Sequence, residues 1–225
     1  MTKGGSSDQD RAVAWARDNG INFFDTAASY GDGASETNLG RALAGDTDGI
    51  VVSSKVGLGD GDLAAPADAV RRSIEASLTR LKLERVDLFQ LHNTIGRPDR
   101  RGTLSVGQVL GEVIPAFEKL RDAGKTRYLG FTAKGEPADL HRLIESGTMD
   151  SAQIFFNLLV PSAGEVVPEN YPAEDYRRLL DAAQAMLQRP PQLVLDLVRV
   201  LGHIGRQHAG FAIGDDHVIL DAHTD

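Results

Sequence analysis

Four side chains capable of proton chemistry stand at the ends of short apolar runs in this sequence. Asp25 and Tyr30 follow Ile21-Asn22-Phe23-Phe24, Lys55 follows Ile50-Val51-Val52-Ser53-Ser54, and His92 follows Val86-Asp87-Leu88-Phe89-Gln90-Leu91. An acid, a phenol, an amine and an imidazole are the groups with which proteins donate and accept protons. Each also has a structural use when taken alone. An Asp at a strand end bonds nearby backbone and caps turns, and an isolated Lys is usually a solvated charge. A Tyr packs its ring and keeps its hydroxyl wet, and a His after a strand often serves as a plain hydrogen-bonding group. The combination is more specific, because three successive strand ends would present these groups toward one rim.

Those strand ends require a scaffold. The apolar runs at 21–24, 50–54, 86–91, 128–131 and 153–156 read as strands, and their near-continuous hydrophobicity suits strands covered on both faces, as in a parallel sheet. Helical patterns lie between them. From Ala67 to Leu83, Val70, Ile74, Leu78 and Leu81 fall on one face, with Arg71, Arg72, Glu75 and Arg80 largely on the other. Phe117 and Leu120 belong to a helix stopping at Gly124, which Pro115 either opens or kinks. Pro137 suits the first turn of a helix running through Leu140, Leu143 and Ile144 to Gly147. Asp10–Asn19 and Ala173–Ala185 read as two further helices, and 158–172 as a long loop. Repeated strand–helix units imply parallel strands with right-handed crossovers. A doubly wound sheet and a β/α barrel both satisfy the pattern, and both place active sites at the carboxyl ends of strands.

Bulk properties narrow the partners. With 225 residues, 41% hydrophobic and 25% charged, the chain has the composition of a soluble globular protein. A formal charge of −8 argues against nucleic acid and anionic membrane, which favour basic faces. No apolar run approaches the ~20 residues that span a bilayer, and the polar start, residues 1–9, reads as a disordered segment with no signal peptide. The absence of cysteine excludes disulfides and thiolate chemistry. Cytoplasmic residence is the expectation.

Gly20-Ile21-Asn22-Phe23-Phe24-Asp25-Thr26-Ala27, followed by Tyr30-Gly31 and Ser35-Glu36, resembles the signature of the aldo-keto reductase family. The Lys55 strand, Leu91-His92-Asn93 and Gly130-Phe131-Thr132-Ala133 follow in the family's order and spacing, so the likeness covers roughly 10–185. The resemblance implies an α/β fold of the (β/α)8 TIM-barrel type, here a partial barrel of about five to six parallel strands. It also implies an oxidoreductase that reduces an aldehyde or ketone to the alcohol with NADPH. Tyr30 would be the general acid, and a cation beside a phenol eases release of its proton. Lys55 would supply that cation, Asp25 would pair with Lys55, and His92 would hydrogen-bond the carbonyl oxygen and steady its developing charge. Thr132 and Gln153 would hold the nicotinamide carboxamide. Thr132-Ala133-Lys134 keeps a hydroxyl where relatives often carry Ser then Asn, and Lys134 receives no role. Asn93 and Asn157 are polar rim residues for which loop capping is an equal reading.

The family pattern departs at both ends. The opening strand and its Gly-rich turn are not recognisable, and the likeness fades near 184–188, where a seventh strand is expected. The layout expected is therefore a partial, truncated barrel over 10–188 and a divergent tail over 189–225, with open sheet edges that invite self-association. Loss of pattern within a few residues suits a change of reading frame better than gradual drift. Four of the six histidines fall in this tail, at 203, 208, 217 and 223, but their spacing fits no metal motif and no metal is assigned. Two other readings compete with the reductase: a non-catalytic remnant that keeps the four residues but binds no cofactor, and, ranked last, a metal-dependent hydrolase using the tail histidines.

Overall fold

The computed structural model describes residues 6–187 and 217–218. Helix α1 (Ser6–Asp18) leads into strand β1 (Phe23–Asp25), α2 (Ala34–Leu43), β2 (Val51–Val56), α3 (Pro66–Leu81) and β3 (Val86–Leu91). Two short strands, β4 (Thr94–Ile95) and β5 (Thr103–Leu104), come next. A continuous helical stretch then joins α4 (Val106–Gln108), a π turn (Val109–Val113) and α5 (Ile114–Asp122). Strand β6 (Thr126–Thr132), α6 (Pro137–Glu145), β7 (Ser151–Phe155), α7 (Leu179–Leu187) and the two-residue β8 (His217–Val218) complete the order. Among the described residues, those up to His92 with Gly111–Leu129 form one compact unit, and Asn93–Leu110 with those from Gly130 onward form a second.

In the first unit β1, β2 and β3 lie side by side and parallel, with Asp25 opposite Ser53 and Lys55 opposite Gln90. All six residues of β2 are buried, as expected of a middle strand covered on both faces. The apolar face read from α3 is the buried one: Val70, Ile74, Leu78 and Leu81 all point inward, each contributing about 1.5–3 kcal/mol of burial. Phe117 of α5 meets Phe89 of β3 with ring centroids 5.4 Å apart. Gly40 lets α2 lie directly on the end of α3, since a Cβ there would sit 2.3 Å from the Leu81 carbonyl oxygen. Helix α1 begins at Ser6, so residues 6–9 are helical instead of belonging to a disordered leader. Gln9 and Asp10 explain this, because both accept hydrogen bonds from Arg41 of α2 and so tie the first turns down.

In the second unit the last residues of β6 pair in parallel with β7, Thr132 opposite Gln153, and β8 adds antiparallel to β7. Helix α6 opens on Pro137, and Gly147 just beyond its end has φ +66°, a left-handed conformation suited to glycine. Helix α7 starts at Leu179 and not at Ala173, because Arg177 and Arg178 hold φ values of 51° and 58°, which a right-handed helix cannot contain. Pro115 sits in the first turn of α5, just after a π turn. With no N–H to offer the carbonyl of Gly111, the turn before it widens. The tail histidines' side chains and the 188–216 segment, with the question of reading frame, lie outside the described residues.

Candidate active site

Strand β1 ends at Asp25, and Thr26 adds one more ladder bond to the Ser53 carbonyl at 2.9 Å. Tyr30 follows on the same loop, its hydroxyl reaching Lys55 of β2, and the chain then turns through Gly31, Asp32 and Gly33, all at positive φ (61°, 53° and 82°). Beneath that turn runs a buried polar network. Arg80 of α3 donates from Nε to Glu36 Oε2 at 2.6 Å, and Ser54 donates to Glu36 Oε1 at 2.5 Å. Glu36 is fully buried, and the Arg80 guanidinium is its counter-charge. Gly33 is required here for space as well as for φ, since a Cβ would lie 2.7 Å from Arg80 Cδ.

Lys55 is among the most deeply buried side chains of the chain, with 1% of its surface exposed. Its ammonium has three hydrogens and three acceptors: an ion pair with Asp25, the Thr26 carbonyl at 3.0 Å and the Tyr30 hydroxyl oxygen at 3.3 Å. Because Nζ donates to the phenol oxygen, the phenol's own hydrogen remains available to another acceptor. The Asp25 carboxylate keeps a quarter of its side-chain surface in contact with solvent. Next to it, the His92 amide extends the β2–β3 ladder onto the Val56 carbonyl at 2.7 Å. This sets the imidazole edge-on to the Tyr30 ring, with centroids 5.8 Å apart and planes at 81°. The four residues singled out from the sequence are thus brought together on the ends of three adjacent strands.

In the second unit Thr132 and Gln153 are cross-strand neighbours, both buried, and the Ala133 amide donates to the Gln153 carbonyl at 2.8 Å. Gln153 Oε1 has no hydrogen-bond partner among the described residues. Asn93 and Asn157 act as loop caps. Asn93 donates to the Gly102 carbonyl at 2.9 Å, and Asn157 Oδ1 accepts from the amides of Leu159 and Val160. Sequence reasoning missed the Thr26 carbonyl as a ligand of Lys55, and missed the Glu36–Arg80–Ser54 support. Ser35-Glu36 was legible as part of a motif, but the partner that a buried glutamate demands lies 44 residues away in sequence. Among the described residues no cluster of His, Asp or Glu could hold a metal ion, and no helix is long and apolar enough to cross a membrane.

The model of the aldo/keto reductase family matches residues 4–169, most of the chain. The chain belongs to the aldo/keto reductase family. An L-galactose dehydrogenase of Arabidopsis thaliana is 38% identical over 152 residues, covering 63% of this chain and 45% of the relative. A D-threo-aldose 1-dehydrogenase of a Pseudomonas species is 32% identical over 69% of this chain and 53% of its own length. Among solved structures, an aldo-keto reductase from Klebsiella pneumoniae in complex with NADPH superposes with a TM-score of 0.58 at 26% identity. That likeness covers 82% of this chain and 57% of the other. A Pseudomonas aeruginosa structure assigned to the same family gives 0.61 at 28% identity, over 83% and 62%. The chain spans about half the length of the curated relatives it matches. The α/β fold is accordingly that of the aldo/keto reductase (β/α)8 barrel in part: β1, β2, β3, β6 and β7 are five of its strands, each followed by helix. The family is one of oxidoreductases.

Proposed function

We propose that this protein reduces an aldehyde or ketone to the alcohol with NADPH, Tyr30 delivering the proton. The observation that carries the reading is the complete coordination of the buried Lys55 ammonium by Asp25, the Thr26 carbonyl and the Tyr30 hydroxyl. A buried ammonium is costly to desolvate and is retained where its charge is used. Here the charge sits against the phenol oxygen and steadies the negative charge left when Tyr30 gives up its proton. Asp25 offsets the ammonium and fixes its position. His92, edge-on to the Tyr30 ring, is the second hydrogen-bonding group for the carbonyl oxygen, orienting it and stabilising charge as it develops there.

NADPH, when bound, supplies the hydride. Gln153 fits the group: its buried Oε1 lacks a partner and would accept a carboxamide N–H of the nicotinamide, with the Thr132 hydroxyl beside it on the neighbouring strand. NADP over NAD is the habit of the family. Titration of the full chain with NADPH, followed by protein fluorescence from Trp15 and the tyrosines, tests the reading. Saturable quenching is expected, and no binding at millimolar NADPH would leave the proposed reaction without its reductant and favour a non-catalytic remnant.

A further inference from the structure

Among the described residues Glu36 is the one acidic side chain that is buried, and the proposed proton transfer does not use it. A buried ion pair adds little net stability, because desolvation offsets the attraction. What Glu36 does add is a joint between three elements. From the first turn of α2 its carboxylate accepts from Ser54 of β2 at 2.5 Å and from Arg80 Nε of α3 at 2.6 Å. Arg80 is steadied on its own helix by a 3.3 Å bond to Ser77 Oγ. Gly33 at the start of α2 offers no side-chain cap. The hydroxyl bond from Thr26 to Ser35, at 2.8 Å, is a neutral and therefore weaker tie in the same turn.

That turn carries Tyr30. The Tyr30 amide donates to the Ala27 carbonyl at 3.1 Å, and its carbonyl accepts from the Ser35 amide at 3.2 Å. The Ala34 amide donates to the Gly31 carbonyl at 3.1 Å, so residues 27–35 close on themselves and move with the first turn of α2. Gly33 lies against Arg80 with no room for a Cβ between them. Ser54 immediately precedes Lys55 on β2, and their side chains leave opposite faces of the strand. Glu36 therefore grips β2 one residue from Lys55 while its own helix turn holds Tyr30. The contact that depends on this spacing is the one between Lys55 Nζ and the Tyr30 hydroxyl oxygen, at 3.3 Å. It already lies beyond the usual ~2.7–3.2 Å of such bonds, and an outward shift of the turn by about half an ångström would end it. We infer that Glu36 is a positioning residue, whose contacts with Ser54 and Arg80 set the distance between the Tyr30 hydroxyl and the Lys55 ammonium. Its effect on turnover rests on the reduction proposed above, whereas its effect on that distance does not.

Two variants separate placement from stability. Arg80→Met strands a fully buried carboxylate, so its urea midpoint should fall. Glu36→Met/Arg80→Met contains neither charge and should regain most of that loss. Turnover should not return with it. In the double variant kcat for 4-nitrobenzaldehyde should lie about tenfold below the parent, against the roughly hundredfold that a ~1 Å misplacement costs, with NADPH affinity unchanged. Tyr30 is also read without turnover, in the full chain labelled with ¹³Cζ-tyrosine. Tyr30→Phe assigns its signal, and Lys55→Met marks where that signal falls without the ammonium. The double variant should move the Tyr30 signal toward that mark. No turnover by the parent would refute the reduction and leave the ¹³C signal to decide the placement. A Tyr30 signal at its parental position in the double variant, or a kcat that recovers with the urea midpoint, would overturn the inference.

Discussion

Asp25→Asn removes the counter-charge from a lysine that has almost no contact with water, and the asymmetry of the pair makes the outcome specific. Lys55 is 1% exposed, whereas the Asp25 side chain keeps 25% of its surface. Loss of the carboxylate charge strands the ammonium in a low-dielectric interior, a change that costs about 3–5 kcal/mol when a buried pair is broken from one side. Lys55→Met instead leaves a carboxylate that solvent still reaches, plus one carbonyl and one hydroxyl without their donor. About 1–3 kcal/mol is expected for that. The double variant contains neither charge, so its cost should fall below that of Asp25→Asn alone, with a coupling of about 2 kcal/mol or more. Urea unfolding of the four proteins followed by far-UV circular dichroism measures each difference. Additive costs, or an Asp25→Asn variant within about 0.5 kcal/mol of the parent, the usual range of a neutral surface change, would refute the claim that Asp25 sustains the Lys55 charge.

Three further outcomes follow from single residues. Gly135→Ala should cost about 3–5 kcal/mol, from backbone strain at φ +136° and loss of the hydrogen bonds that Ile95 makes with the Lys134 carbonyl and the Glu136 amide, and urea midpoints would register it. Gln153→Leu should leave the free chain as stable as before or slightly more so, because its buried oxygen is already unpaired, while NADPH affinity drops about tenfold; a large loss of stability would show that Gln153 is structural. Burial raises the Tyr176 phenol above 10.0, its ordinary value. The unfolded chain therefore loses that proton first, so the stability it contributes is whole below pH 10 and declines as pH rises through the folded-state value. Tyr176→Phe should flatten that alkaline decline, seen as a smaller drop in urea midpoint than in the parent.

The strands were legible because burial on both faces writes itself as unbroken apolar runs. Val86–Leu91 coincides with β3, and the expected runs at 50–54 and 128–131 lie in or within a residue of β2 and β6. Helix α3 was legible for the complementary reason, its four inward residues recurring every three or four positions. Helix α2 was not, because the face it buries includes Ser35, Glu36 and Gly40. Those residues are inward for hydrogen bonding and close approach, not for hydrophobicity. The β4–β5 pair escaped because two-residue strands have no period to read. Of the site, Asp25, Tyr30, Lys55 and His92 could be placed from motif order, since each stands at or just beyond the end of a strand. The Thr26 carbonyl and the Arg80 support could not, because backbone acceptors and long-range partners leave no mark in local sequence.

The most direct test of the proposed chemistry is reduction of 4-nitrobenzaldehyde by the full chain and by Tyr30→Phe, read as loss of NADPH absorbance. The fluorescence titration of NADPH is run on both proteins. The expected result is a fall in kcat of about 10²- to 10⁴-fold, the usual worth of a positioned general acid, with NADPH affinity unchanged. Turnover by the parent together with equal kcat in Tyr30→Phe would contradict the assignment of the proton to Tyr30.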